Sequence, residues 1–361
     1  MKVLLFVDQL FLGGAGRVAS LLVQGLDKLG YNVTVVTDKK MGIKYDLPSD
    51  TNVLQIYRCK STNIFDKIIN LLKRLVYTRK LVKKENPNVI ITFLPHIFFD
   101  IKLATLGLGI PIIASDHTSM SRDLGVWVNF LRHYFYSLAD AVTILTEKDK
   151  RYLGKKLPNK VVVYNPLTFI PISNICERNN NILCAGRINQ WDVKGFDRMI
   201  EIFGKLSKKY HGWTLDIAGY GSDNSFRLLK ELAKKHKIEN SVRFLGQVDD
   251  MQTLYKNSMI FALPSRVEGF PMVLIEAMSQ GCACISFEMQ GAVKEIINDE
   301  LDGIIVKDNN IDEFINKLDS IMQDSEKRNK LSLNAINNVS RFSMNNFIDN
   351  WNIIIKKCGK I

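Results

Sequence analysis

The sequence predicts an α/β protein of two doubly wound, Rossmann-like domains, each a parallel sheet with crossover helices. Three observations carry this expectation. Short apolar runs alternate with helix-period segments along the chain, the pattern that repeated βαβ units produce. The alternation breaks once, at 165–181, where N-P-L-T-F-I-P-I-S-N-I-C-E-R-N-N-N brings two prolines and an asparagine cluster, as a linker would. A length of 361 residues, with 46% hydrophobic and 24% charged side chains, suits two soluble domains, each with a core of its own.

In the first half, residues 3–7 (V-L-L-F-V) are an uninterrupted apolar run, as expected of a parallel strand buried on both faces. Residues 17–29 read as a helix closed by Gly30, and residues 32–37 as a second strand. Further strands are expected at 53–57, 89–93, 110–114, 141–145 and 160–164, with helices in the gaps. After the break the alternation restarts: strand 182–185, helix 196–210, strand 213–218, helix 226–236, then strands 242–245 and 259–263. Strands at 282–287 and 303–306 and two or three helices complete the chain. Two such domains turn the C-terminal edges of their sheets toward a central cleft, where open α/β sheets bind ligands.

The formal net charge is +12, and it is lopsided: residues 1–165 hold 24 Lys and Arg against 13 Asp and Glu, residues 166–361 hold 25 against 24. Much of the excess lies at 58–85, where Arg58, Lys60, Lys67, Lys73, Arg74, Arg79, Lys80, Lys83 and Lys84 alternate with apolar residues such as Ile68, Leu72 and Val76. A basic amphipathic helix suits an anionic membrane surface, and equally a solvated face packed on its own domain. Without an aromatic stacking platform or a binding motif beside these charges, nucleic acid is not expected as a partner. No run reaches the ~18 apolar residues that a membrane span needs. The start, M-K-V-L-L-F-V-D, is too short and too soon acidic for a secretory leader. Cys59, Cys176, Cys184, Cys282, Cys284 and Cys358 form no C-x-x-C pair, which points to a reduced, cytosolic protein.

The chemistry concentrates at 265–281, S-R-V-E-G-F-P-M-V-L-I-E-A-M-S-Q-G. It follows the strand expected at 259–263, turns at Pro264, Gly269 and Pro271, and enters a helix expected to begin at Pro271 and end at Gly281. That helix is apolar nearly all round except for Glu276, and a carboxylate in such a helix is costly unless a polar group, a cation or a ligand meets it. Glu268 precedes it by eight residues, on the loop at the strand's C-terminal end. Two acceptors so placed can hold the hydroxyls of a polyhydroxylated ligand, beside a helix N-terminus that suits phosphate.

Other loops fall on the same kind of edge. Gly186 and Arg187 follow the strand at 182–185, and Lys194-Gly195 precede a helix, so two cations and a helix N-terminus can clamp a diphosphate. Gly219-Tyr220-Gly221-Ser222 and Phe244-Leu245-Gly246-Gln247-Val248 end two further strands. In the first half, Ser115-Asp116-His117-Thr118 ends the strand at 110–114 and places His117 at the cleft edge. The loop Gly13-Gly14-Ala15-Gly16-Arg17 lets backbone approach a phosphate or sugar closely. Gly14 to Ala19 also satisfies G-x-G-x-x-A, and Asp38 ends the second strand, so a dinucleotide-binding enzyme is the rival reading. Five residues between Asp8 and Gly14 weigh against it, because that fingerprint wants its first glycine directly at the strand end.

Glu268 to Glu276 spells E-x7-E in the form E-G-F-P-M-V-L-I-E-A-M, and with the G-G-x-G loop, the G-R…K-G pair, F-L-G-x-V and the closing F-S…W helix (Phe342 to Trp351) the whole chain resembles the family 4 retaining glycosyltransferases of GT-B fold. The wording around Ser115 to Ser119 and Gly186 to Gly195 is most similar to the branch serving bacterial exopolysaccharide, capsule and O-antigen assembly. The resemblance implies an N-terminal acceptor domain at 1–165, a linker at 166–180, a nucleotide-sugar domain at 181–340 and a last helix, 341–361, crossing back to the first domain. It implies that Glu268 and the backbone of Gly269 and Phe270 hold the donor sugar, that Glu276 holds the ribose, and that the backbone of Val248 meets the base. By the same resemblance, Arg187 and Lys194 neutralise the diphosphate with help from the Gly13, Gly14 and Gly16 loop, and His117 contacts the sugar.

The implied reaction moves a hexose or N-acetylhexosamine from a nucleotide-sugar donor, a UDP-sugar by preference, to a polyprenyl-diphosphate-linked glycan at the inner membrane face, with retention of configuration. A GT-B-type nucleotide-sugar epimerase is the alternative on the same fold. No D-x-D occurs, so neither a metal nor another cofactor is expected, and Arg187, Lys194 and helix N-termini are left to stabilise the leaving diphosphate. Two features depart from the family pattern: six residues separate Arg187 from Lys194, more than is common, and Tyr220 and Ser222 stand where an acid and a proline are usual.

Overall fold

The computed structural model describes residues 1–11, 13–38, 42–56, 63–120, 122–157, 159–289 and 292–359. It divides into two compact units, one of Met1–Pro166 with Met344–Ile361, the other of Leu167–Ser343.

Among the described residues the first unit holds a seven-stranded parallel sheet: β1 (Lys2–Phe6), β2 (Asn32–Asp38), β3 (Asn52–Ile56), β4 (Val89–Phe93), β5 (Ile112–Ser115), β6 (Ala141–Ile144) and β7 (Lys160–Val162), in the order β3-β2-β1-β4-β5-β6-β7. Every residue of β4 is buried, because helices cover both faces of the sheet. Right-handed crossovers put helix Gly14–Lys28 on one face, and Ile64–Glu85, Pro95–Ala104 and the turn at Val126–Phe130 on the other. The strand order reverses between β1 and β4, which opens a crevice at their C-terminal ends. The last helix, Met344–Cys358, packs on Gly14–Lys28 and buries Phe347, Ile348, Trp351, Ile354 and Ile355. Tyr31 Oη donates to Asn352 Oδ1 across that contact at 2.5 Å.

The second unit repeats the plan with β8 (Asn179–Ala185), β9 (Thr214–Ala218), β10 (Val242–Gly246), β11 (Ser258–Leu263), β12 (Ala283–Glu288) and β13 (Ile304–Lys307), all parallel, in the order β10-β9-β8-β11-β12-β13. The reversal falls between β8 and β11, the two strands whose loops carry the E-x7-E and G-R…K-G motifs. A core of Ile182, Phe196, Phe203, Ile217, Phe287 and Phe314 fills one side of the sheet.

Element ends differ from the expectations for local reasons. Helix Gly14–Lys28 starts three residues before Arg17, because Gly13 (φ 107, ψ 161) makes the turn that a side-chain cap would otherwise make. The helix expected at 196–210 ends at Leu206, and Met272–Ser279 begins after Pro271, which stands in extended conformation as its N-cap. β8 takes in part of the asparagine cluster: buried Asn181 donates to Asp216 Oδ2 at 2.7 Å and to Ser258 Oγ at 3.1 Å. Ahead of β8, Leu167 N donates to Phe342 O at 2.7 Å and Ile172 N to Ser279 O at 3.0 Å, so this stretch is hydrogen-bonded to the second unit. Tyr57 of the expected third strand and Arg58, Cys59 and Lys60 of the basic run lie outside the described residues. No helix among the described residues is long and apolar enough to cross a membrane.

Candidate active site

The site of the second unit is built where β8, β9, β10 and β11 end side by side. β11 is buried and apolar to Leu263, and the chain then turns through Ser265 to Glu268 before the helix Met272–Ser279. Glu268 Oε1 accepts from Ser265 Oγ at 2.8 Å and from Lys194 Nζ at 2.7 Å, with only 12% of the Glu268 side chain exposed. Lys194 arrives from the turn after β8, ahead of helix Phe196–Leu206. Charge-assisted hydrogen bonds of this length, in a half-desolvated pocket, fix both side chains.

Backbone packing explains how two turns 74 positions apart register so closely. Gly195 has φ 69, and a Cβ there would lie 1.9 Å from the carbonyl oxygen of Pro264. Arg266 adds a second tie, its N donating to Val193 O at 2.8 Å and its guanidinium gripping both carboxylate oxygens of Asp197 at 2.8 and 2.6 Å. Gly195→Ala is therefore expected to lower the stability of the chain by about 2–4 kcal/mol in denaturant unfolding, from left-handed strain and overpacking together. A loss under about 1 kcal/mol would show that the two turns are not pressed together.

Glu276 is buried, one of its oxygens accepting from Thr168 Oγ1 at 2.9 Å and the other from Tyr255 Oη at 3.4 Å. The buried carboxylate that looked costly in the sequence thus has hydroxyl partners, one of them from the stretch read as linker. Phe270 buries its ring edge-to-face on Phe342 at 5.3 Å, and Gly269 is half-buried beside it. Arg187 leaves β8 exposed to solvent and makes no ion pair with a described residue, so the structure joins Lys194 to Glu268 and leaves Arg187 apart. Val248 is half-buried in the turn after β10. The edge is stitched by backbone bonds: Gly186 N to Ala218 O at 3.0 Å, Ile188 N to Tyr220 O at 2.9 Å, and Gly219 N to Gly246 O at 2.7 Å.

In the first unit, Gly13 and Gly14 open the helix that follows β1, and Gly14 is exposed with open space about it. Gly16 is buried, and a Cβ there would come within 2.5 Å of Gln9 O. It seats the helix against the loop. His117 stacks on Phe93 at 4.7 Å with ring planes 4° apart, and its Nε2 lies 2.9 Å from Ser115 Oγ, which in turn accepts from Thr143 Oγ1 at 2.7 Å. Burial pushes the imidazole down to about 4, with Asp116 and Asn165 acting in the opposite direction, so the ring is neutral at physiological pH.

The loop bearing His117 rests on residues that sequence reasoning passed over. Asp116, buried, accepts from Arg132 Nε at 2.8 Å, Arg132 Nη2 at 2.9 Å and Tyr136 Oη at 3.0 Å. Burial works against the Arg132 charge, yet the Asp116 carboxylate holds its pKa above the usual value. Thr146 caps the next helix, Glu147–Leu153, its Oγ1 accepting from Asp149 N at 2.9 Å, and the Asp149 carboxylate accepts from Met120 N at 2.8 Å; burial raises its pKa. Asp116 stood within the polar run at 115–118, but nothing in its spacing pointed to Arg132. Among the described residues no group of three or more His, Cys, Asp or Glu side chains is arranged to hold a metal ion.

Comparison with known proteins gives two family matches, Glycosyltransferase Family 4 over residues 12–167 and Glycosyl transferases group 1 over residues 168–338. The amylovoran biosynthesis glycosyltransferase AmsD of Erwinia amylovora is 28% identical, over 98% of this chain and 99% of that one. The GalNAc-alpha-(1->4)-GalNAc-alpha-(1->3)-diNAcBac-PP-undecaprenol alpha-1,4-N-acetyl-D-galactosaminyltransferase of Campylobacter jejuni is 27% identical, over 97% of each. Among solved structures, Anabaena HepE in complex with UDP and glucose superposes with a TM-score of 0.81 over 99% of this chain and 100% of that one, at 15% identity, a likeness of fold.

Proposed function

The chain belongs to glycosyltransferase family 4 and has the GT-B fold, and we propose that it moves a hexose or N-acetylhexosamine from a UDP-sugar to a lipid-linked glycan in bacterial surface polysaccharide assembly, with retention of configuration and without a metal. The observation that carries this reading is the Glu268–Lys194 contact of 2.7 Å at the end of β11. A carboxylate for sugar hydroxyls and a cation for diphosphate oxygens meet at one point. The Campylobacter relative's name, which specifies a diphosphate-undecaprenol acceptor, supports the acceptor class. HepE, solved in complex with UDP and glucose on the same fold, supports the donor.

In the proposed reaction the bond from the anomeric carbon to the diphosphate oxygen breaks, and its electron pair leaves with the nucleoside diphosphate. The acceptor hydroxyl attacks the same face of the resulting ion pair, and its proton passes to the departing phosphate oxygen. Arg187 and Lys194 stabilise the charge on that leaving group, with the loop and helix start at Gly13, Gly14 and Gly16 assisting. Glu268 and the backbone of Gly269 and Phe270 hold the sugar, Glu276 the ribose, and the Val248 backbone the base. His117, half-buried and neutral, meets the sugar by hydrogen bonding. The protein works in the cytoplasm at the inner membrane face, where its basic helix Ile64–Glu85 meets anionic lipid.

Calorimetry with UDP, GDP and NAD, followed by anomeric analysis of the product, tests this. UDP is expected to bind tightest, and turnover to survive EDTA. Preferential NAD binding, an inverted product, or an EDTA-dead enzyme restored by manganese would each overturn the corresponding part.

A further inference from the structure

The two oxygens of Glu276, a side chain only 2% exposed, are met from opposite directions along the chain. Thr168 Oγ1 donates to one at 2.9 Å, and Tyr255 Oη approaches the other at 3.4 Å. Thr168 stands in the stretch ahead of β8, which is laid along helix Met272–Ser279 by two further bonds: Ile172 N donates to Ser279 O at 3.0 Å, and Gln280 Nε2 to Ile170 O at 3.0 Å. Tyr255 belongs to helix Met251–Asn257, which begins just after the Val248 turn. Its ring is fully buried, tilted against Phe169 at 6.2 Å and edge-on to Phe261 at 5.6 Å. Packing on two sides therefore fixes where the hydroxyl points.

We propose that Thr168 and Tyr255 are positioning residues that hold the Glu276 carboxylate in the orientation a ribose diol requires, and so set a preference for ribo- over deoxyribonucleotide donors. This rests on the ribose role of Glu276 given above and adds what aims it. The terminal torsion of a glutamate is broad, so an unheld carboxylate turns easily. A turned carboxylate meets only one hydroxyl of a vicinal pair. One hydroxyl donor on each oxygen stops the turning, and because a carboxylate offers about four lone-pair positions it can accept from these hydroxyls and from a ligand together. The bond from Thr168 has an ordinary length and the contact from Tyr255 is long, so Thr168 carries the larger share. The contrast with Glu268 is chemical. Its partner Lys194 is an ammonium that a diphosphate competes for, whereas the partners of Glu276 are neutral hydroxyls with no charge for a phosphate to draw away.

The test is calorimetry on the full chain with UDP, GDP and the 2′-deoxy and 3′-deoxy forms of each, read as the ratio of deoxy to ribo dissociation constants for the base that binds. A general loss of stability does not move that ratio. The wild-type chain is expected to favour the ribo form about tenfold or more, as a hydrogen bond to a charged group allows. Thr168→Val replaces the hydroxyl with a methyl of the same shape and is expected to lower the ratio by about threefold or more. Thr168→Ser is expected to restore it, and Tyr255→Phe, which keeps the buried ring, to lower it by less than Thr168→Val. A wild-type ratio in both Thr168→Val and Tyr255→Phe would overturn the proposal and leave the ribose role of Glu276 standing, as would a ratio lowered equally in Thr168→Val and Thr168→Ser. A wild-type chain that binds neither nucleotide, or that is indifferent to the missing hydroxyls, would overturn the ribose role and the proposal with it.

Discussion

Replacing Glu268 by glutamine is expected to lower sugar transfer on the order of 10²–10³-fold while tightening the binding of UDP, two changes of opposite sign from one substitution. The carboxylate and the Lys194 ammonium, 2.7 Å apart, neutralise each other. A diphosphate must compete with Glu268 for that lysine, and a sugar hydroxyl must compete with the lysine for Glu268. A nucleotide sugar satisfies both at once. UDP alone brings only the diphosphate, so removing the carboxylate frees Lys194 for it, whereas turnover loses the group that holds the transferred sugar. Steady-state rates and UDP calorimetry on the same preparation check this. Near-normal transfer in the variant would remove Glu268 from the site, and weaker UDP binding would show that Lys194 does not serve the diphosphate.

Arg132→Met should cost the chain about 3–5 kcal/mol in denaturant unfolding, because it leaves Asp116 charged, buried and without its bidentate partner. Arg132→Lys should recover little of this, since an ammonium cannot span two carboxylate oxygens as the guanidinium does at 2.8 and 2.9 Å. Arg132→Met with Asp116→Asn should recover more, because no uncompensated charge is then buried. A single variant losing less than about 1 kcal/mol would show that the pair does not hold the His117 loop.

The two-sheet plan was legible because parallel strands are covered on both faces and so appear as unbroken apolar runs, of which β4 and β11 are clear cases. Their ends were less legible. Gly13 replaces a side-chain cap with a backbone turn, and Asn181 belongs to a strand only because Asp216 and Ser258 supply buried partners. In the site, Glu268 and Lys194 could be named from loops at strand ends. That they touch depends on Gly195 fitting against Pro264, a contact between distant positions that no local pattern carries. Asp116 and Arg132 are separated by sixteen positions, the arginine lying in a π-helical turn at Leu131–Phe135 rich in apolar and aromatic residues. Thr168, in a stretch composed like a linker, became legible as a partner of Glu276 only in three dimensions.

The final helix has a consequence for synthesis. Leu167–Ser343 is contiguous and can close its core as soon as it emerges from the ribosome. The first unit, made earlier, lacks Ile348, Trp351 and Ile355 until the residues after Ser343 appear. Its helix Gly14–Lys28 therefore waits with an uncovered apolar side through most of translation, the condition in which chaperone capture and misassembly compete with folding. The half made first is the half completed last.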